Sequence, residues 1–424
     1  MMNRTFSLLL ALFLSLYGVG PMAADNRSQA RVVFNNDVSA VPFRIPALAV
    51  TRDGRILAVC DYRISKTDIG YSNRNGLFQI NEVMRTSADG GRTWSDSVVV
   101  ARGNEHAAEE WRTAFGDPAL VADRNSNEVL MSCVSGKAGY FAATRNHPQH
   151  AAFFRSLDGG RTWDKGTDLT EQIYGLYDST MPGGEHPAGI FITSGNMMQS
   201  RKVKVGRYYR IYAAHPLRTA KVNKFATYVI YSDDFGRSWH VLGGAGVIPS
   251  DAADESKVEE LPDGRVLLSC RNQGVGGRKF NVFTYKNVKA GTGTWGQDVV
   301  PELLSGKHVN ACNGGTLLVR ARRAADGRRV WLLLQTVPQS TQRVNVGFYY
   351  KELASRKDWV PAGALAKGWV KVLCISDTTS CYSTLAPLKD GRIGILYEEK
   401  SYNEGYNILF RSLSLEEITE GKYR

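Results

Sequence analysis

The sequence predicts an all-β chain folded as a six-bladed β-propeller, and three observations carry that expectation. Three segments share one pattern: Ser87-Ala-Asp89-Gly-Gly91-Arg-Thr93-Trp94, Ser156-Leu-Asp158-Gly-Gly160-Arg-Thr162-Trp163 and Ser232-Asp-Asp234-Phe-Gly236-Arg-Ser238-Trp239. Their tryptophans lie 69 and 76 residues apart, a period that points to repeated structural units. Asp-Gly turns at Asp53-Gly54, Asp263-Gly264, Asp326-Gly327 and Asp390-Gly391 each precede a strand-like run such as Ile56 to Cys60 or Ile393 to Tyr397. Weaker counterparts at Asp123-Arg-Asn125 and Val205-Gly206 bring the turns to six, at a mean spacing of about 67 residues between 53 and 390. Helical patterns are few, and the long apolar runs suit strands covered on both faces.

The chain opens with Met1-Met-Asn-Arg4, an apolar run through Leu8 to Leu14 and the small residues Met22-Ala-Ala24. That is the layout of a secretory leader over 1–24, so an exported protein, periplasmic or extracellular, is expected. No second apolar run is long enough to span a membrane. Residues 25–424 then read as a single propeller domain, since no Ser/Pro/Gln-rich linker divides them.

The first turn is preceded by Val41-Pro42-Phe43-Arg44-Ile45-Pro46-Ala47-Leu48, where two prolines stiffen the segment that carries Arg44. If each Asp-Gly is a two-residue turn, the register places Arg44 opposite Arg63, Glu255 beside the neighbour of Arg271, and Tyr382 opposite Glu399 and next to Glu398. All of these lie at the open ends of hairpins, as does Asp117 in Gly116-Asp117-Pro118. In a propeller that end is one shared face, so residues hundreds of positions apart are expected in one depression. In the three Ser-x-Asp segments the carboxylate is expected to accept backbone N–H groups, glycine to supply positive φ, and Trp to pack beneath. The alternating ligands of an EF-hand are missing. A short helix over Leu413 to Ile418 is expected to close the chain.

The formal charge is +12, with Lys and Arg scattered instead of forming one basic tract. That favours an anionic small substrate or acidic glycan and gives no specific signal for nucleic acid. Six cysteines are too sparse to form a scaffold. Cys374 and Cys381 are expected to pair by proximity, whereas Cys60, Cys133 and Cys270 lie in apolar runs as buried thiols. No Cys or His spacing suggests zinc.

Phe43-Arg44-Ile45-Pro46 followed by several Ser-x-Asp-x-Gly-x-Thr-Trp boxes resembles the exo-α-sialidase (neuraminidase) family, over nearly the whole of 25–424. The resemblance implies three arginines that grip a substrate carboxylate, here Arg44, Arg271 and Arg343. It implies a tyrosine nucleophile at Tyr382, its carboxylate base at Glu255, and an acid/base aspartate at Asp68, for which Asp61 is a second candidate. Glu398 matches the glutamate that steadies the first arginine, and Arg63 and Asp117 match positions lining the pocket near the ring substituents. A tyrosine suits this chemistry because the anomeric carbon of a sialoside bears a carboxylate, which would repel an anionic nucleophile. A phenol with a pKa near 10 then needs a base. An acid/base carboxyl that must start protonated implies an acidic optimum. Taken whole, the resemblance implies an exo-α-sialidase hydrolysing terminal α-linked sialic acids with retention, acting on sialylated glycans as a monomer, with no metal and no cofactor. A trans-sialidase, an intramolecular trans-sialidase and a non-catalytic glycan-binding propeller are the alternatives.

Overall fold

The computed structural model describes residues 29–178, 181, 184–219 and 225–424, so the leader expected over 1–24 lies outside the described residues. Six sheets, each carrying the hairpin that the turn residues specify and antiparallel except where Gly195–Asn196 pairs parallel with Phe115–Ala122, form the blades of a β-propeller. In chain order the hairpin strands are Phe43–Val50 with Ile56–Tyr62, Phe115–Ala122 with Val129–Ser135, and Met198–Val205 with Tyr208–Thr219. Ala253–Glu260 with Val266–Asn272, Thr316–Arg322 with Arg329–Pro338, and Ser380–Pro387 with Ile393–Lys400 complete the six. Phe43–Val50 contacts both Phe115–Ala122 and Ser380–Pro387, which brings the first blade against the second and the last. Strand Arg31–Phe34 closes the ring as the outermost strand of the last blade, pairing antiparallel with Tyr406–Leu413. A helix over Leu415–Ile418 follows, capped by Ser414, whose hydroxyl accepts from the Glu417 amide. Apolar residues fill the spaces between blades, as the runs covered on both faces require.

The Ser-x-Asp boxes are turns tied by one carboxylate. Asp89 Oδ1 accepts the amides of Arg92 and Thr93, each at 3.0 Å, and Oδ2 accepts the Thr93 hydroxyl at 2.6 Å. The same bonds recur around Asp158 and Asp234. Gly91 has φ of 89°, and a Cβ there would meet the Phe410 ring at 2.1 Å. That ring is the edge-on partner of Trp94, so both the left-handed backbone and the close packing exclude a side chain. Burial pushes the carboxyls of Asp89 and Asp158 up, but the hydrogen bonds outweigh it and hold both at about 2.

The register differs from the two-residue turns expected. In the first hairpin Val50 pairs with Ile56 and Arg44 with Asp61, not with Arg63. The turn is longer than two residues, with Thr51 N–H bonded to the Arg55 carbonyl, and the strand bulges between Arg44 and Ala47. Equivalent irregularities fall between Gly116 and Ala119, Ala253 and Ser256, and Ser380 and Ser383. Tyr382 therefore lies within a bulge instead of facing Glu399. The expected pairing of Cys374 with Cys381 also does not form. Cys374 is exposed, with Sγ 3.1 Å from the Ser376 carbonyl, while Cys381 Sγ lies 3.3 Å from that of Cys312. Sequence proximity misled here because Cys374 is exposed at the end of strand Trp369–Cys374 of one blade, whereas Cys381 is buried in strand Ser380–Pro387 of the next.

Candidate active site

The four bulges open on one depression, and they are what aims side chains into it. Ile45 and Asp117 take φ of 57° and 53°, left-handed values that are rare for residues with a Cβ and strained for a β-branched one. Each is followed by a proline, Pro46 and Pro118, which has no N–H for the ladder to lose where the strand bends. The strain at Ile45 is held by Glu398. Its wholly buried carboxylate accepts the Ile45 amide at 2.9 Å, Arg44 Nε at 2.8 Å and the Tyr382 amide at 3.2 Å. One anion from the last blade thus fixes the bulge of the first blade, the guanidinium it carries, and the bulge that bears Tyr382. Burial works against the Arg44 charge, but Glu398 outweighs it and holds the guanidinium above its ordinary pKa. The terminal nitrogens of Arg44 make no hydrogen bond to any described residue.

Three guanidinium groups gather around one phenol. Arg44 lies 5.9 Å and Arg343 5.8 Å from the centre of the Tyr382 ring, and Arg44 also covers the Tyr406 ring at 4.9 Å. Arg271 Nη1 is 3.3 Å from Tyr382 Oη and bonds Glu255. Arg343 comes from the loop between strands Arg329–Pro338 and Val346–Leu353, so no hairpin register could place it. Its carbonyl accepts the Ser380 amide at 2.9 Å, which pins the loop beside the tyrosine's strand. Its side chain makes no ion pair with any described residue.

Tyr382 Oη donates to Glu255 Oε2 at 2.7 Å, with both residues more than nine-tenths buried. Burial pushes the phenol well above its ordinary pKa, the Glu255 charge adds to this, and Arg271 opposes it. Asp254, the neighbour of Glu255, is raised to about 6 by burial and by Glu255, with Arg271 and a 2.6 Å bond from Gln273 opposing.

The opposite wall is acidic. Arg63, nearly buried, bridges Asp61 Oδ2 and Asp68 Oδ1, both 2.8 Å from its Nη2. Asp61 is wholly buried, accepts the Asp117 amide at 3.0 Å, and is pushed to about 6 by burial. Asp68 is 62% exposed in its side chain and faces the depression. Of the two aspartates that the sequence left open, Asp68 alone can reach a ligand. Its loop is locked by Gly70, whose φ is 77° and whose Cβ would lie 2.3 Å from the Gly139 backbone. Glu82 pairs across strands with Asp61 and is wholly buried with neither oxygen hydrogen-bonded, a feature that no sequence pattern indicated.

Arg44, Arg63, Asp68, Asp117, Glu255, Arg271, Arg343 and Tyr382 all line this depression of about 340 Å³, and Glu398 stands directly behind Arg44. The site gathers Arg44, Arg271 and Arg343 around the phenol, with Glu255 and Asp254 beside Arg271, and Asp68 and Asp117 around Arg63. Tyr140 and Phe225, stacked at 5.3 Å, add an apolar wall that the sequence reading missed, because their loops carry no repeat signal.

Propeller and boxes define a class before they define a chemistry. The BNR repeat-like domain family model matches residues 79–395. A sialidase of Micromonospora viridifaciens is 30% identical over 365 residues, covering 84% of this chain and 50% of that protein. A sialidase of Paraclostridium sordellii is 26% identical over 412 residues, covering 92% and 90%. The chain thus spans half the length of the first relative and nearly all of the second. Among solved structures, the intramolecular trans-sialidase of Ruminococcus gnavus in complex with oseltamivir carboxylate shares the fold with a TM-score of 0.65. It is 16% identical, with 92% of this chain and 98% of that one covered. The chain belongs to the sialidase family of BNR-repeat propellers.

Proposed function

We propose that this protein is an exo-α-sialidase, a glycoside hydrolase that releases terminal α-linked sialic acids from glycoconjugates with retention of configuration. The observation that carries the proposal is the 2.7 Å bond from Tyr382 Oη to Glu255, with Arg271 in reach of both. A buried phenol is a poor nucleophile until its proton is removed, and Glu255 is placed to take that proton as Oη attacks the anomeric carbon. Arg44, Arg271 and Arg343 bind the sugar carboxylate, an anion for which unpaired guanidinium nitrogens are the matching donors. With the carboxylate held on the arginine side, the glycosidic oxygen turns toward Asp68, the acid wall's exposed member. Asp68 protonates the leaving group, then removes a proton from the water that cleaves the tyrosyl intermediate. Arg63 orients Asp68, and Asp117 meets the ring substituents. The Micromonospora and Paraclostridium relatives are sialidases, which supports this reading over a glycan-binding propeller. We further propose that the enzyme acts outside the cytoplasm, as the leader pattern read over residues 1–24 implies, and as a monomer.

Release of free sialic acid from a fluorogenic sialoside, followed by mass spectrometry of the sugar product, tests the proposal. Free sialic acid is the expected product. A product lighter by one water would move the assignment to intramolecular transfer. No release across pH 4 to 8 by intact protein would overturn it.

A further inference from the structure

Beneath the site lies a pair of thiols that the proposed reaction does not use. Cys381 immediately precedes Tyr382 in the bulge of Ser380–Pro387, and Cys312 lies ahead of strand Thr316–Arg322, 69 residues earlier. Their sulfurs are 3.3 Å apart, and both residues are wholly buried in a small cluster with Ile45 and Tyr382. Arg278, itself wholly buried, donates to the Cys312 carbonyl at 3.0 Å and fixes one side of the pair. The remaining cysteines offer neither sulfur another partner. Cys60, Cys133 and Cys270 belong to three separate core clusters, and Cys374 is exposed.

We propose that Cys312 and Cys381 are a disulfide site, closed when the chain folds in an oxidising compartment, which ties the fifth blade to the strand of Tyr382. The two sulfurs need to approach by little more than an ångström to bond. The oxidant is a small-molecule or protein disulfide of the compartment, such as oxidised glutathione. The thiolate of one cysteine attacks it and releases one glutathione thiol. The second thiolate then displaces the other glutathione from the mixed disulfide. The protein pair loses two electrons and two protons, and the glutathione disulfide is reduced to two thiols. Since burial denies the finished pair contact with any oxidant, closure belongs to folding, and the same burial then shields the bond from reductants. The inference stands whether or not the enzyme is a sialidase.

The test uses the full chain produced with export into a bacterial periplasm, denatured in guanidinium with an alkylating agent and no reductant. Four alkyl groups per chain are expected, rising to six after reduction, with one disulfide-linked peptide pair joining Cys312 to Cys381. Cys374→Ser should leave the bridge intact and lower the count by one. The oxidised protein should melt several degrees above the same protein refolded with its thiols reduced. Six alkyl groups without reduction, or four with any other pair of cysteines bridged, would overturn the proposal.

Discussion

Glu398→Gln is the substitution that most directly tests how the site is held together. The wild-type carboxylate is wholly buried and accepts three donors, from Arg44 Nε and the amides of Ile45 and Tyr382. Glutamine keeps the volume but loses the charge and offers one acceptor oxygen in place of two, so an NH₂ group must face at least one of the donors. A lost hydrogen bond to a charged group accounts for about 1.5–3 kcal/mol, and leaving a largely buried guanidinium without its counter-ion for about 3–5 kcal/mol. Arg44 retains 20% side-chain exposure and can recover some hydration, which brings the expected loss to about 2–4 kcal/mol. Urea denaturation of the two proteins at pH 7 measures it. The freed bulge should also let Arg44 and Tyr382 drift, lowering kcat/KM on a sialoside by about 10- to 100-fold. A stability change below about 0.5 kcal/mol together with full activity would refute the claim that one anion braces both bulges.

Tyr382→Phe should lose turnover while keeping affinity for a sialic acid analogue within about tenfold, read by kinetics and calorimetry; full activity would remove the nucleophile assignment. Asp254→Asn addresses pH. Because the folded carboxyl is raised to about 6 from 3.8, its contribution to stability is present below pH 3.8 and lost as pH rises through 6. The variant should therefore gain on wild type across that window, by up to about 3 kcal/mol, in urea melts at pH 4 and 7; parallel curves would contradict this. Asp158→Ala removes the acceptor for two amides and the Thr162 hydroxyl in an exposed turn. A loss of about 1–2 kcal/mol with unchanged kcat/KM is expected, since the boxes build blades and lie away from the site residues. A fall in activity at preserved stability would give the box a functional role.

The blade count was legible because its signals are local. Asp-Gly turns and the Ser-x-Asp boxes specify their own backbone within about ten residues, and burial on both faces writes itself into unbroken apolar runs. Residues at strand ends were also legible as a group, since any strand of a propeller delivers its end to one of two faces. The opposition of Arg44 to Asp61 was not, because the turn shifts the register by one residue and the bulge by another, and the bulge leaves no mark beyond the prolines at 46 and 118. Arg343 could be reached only through the family resemblance, as its loop has no partner strand from which to count.

By itself, then, the sequence determined the six-fold repeat, the turns and the set of side chains offered to one end of the ring, all through interactions between near neighbours. Tertiary structure decided what those side chains do to one another. It made Glu398 the brace of a bulge some 350 residues away, exposed Asp68 while burying Asp61, and put Cys381 against Cys312 instead of Cys374. Such choices depend on how blades dock across the ring, where contacts between distant segments, burial and charge compensation act together.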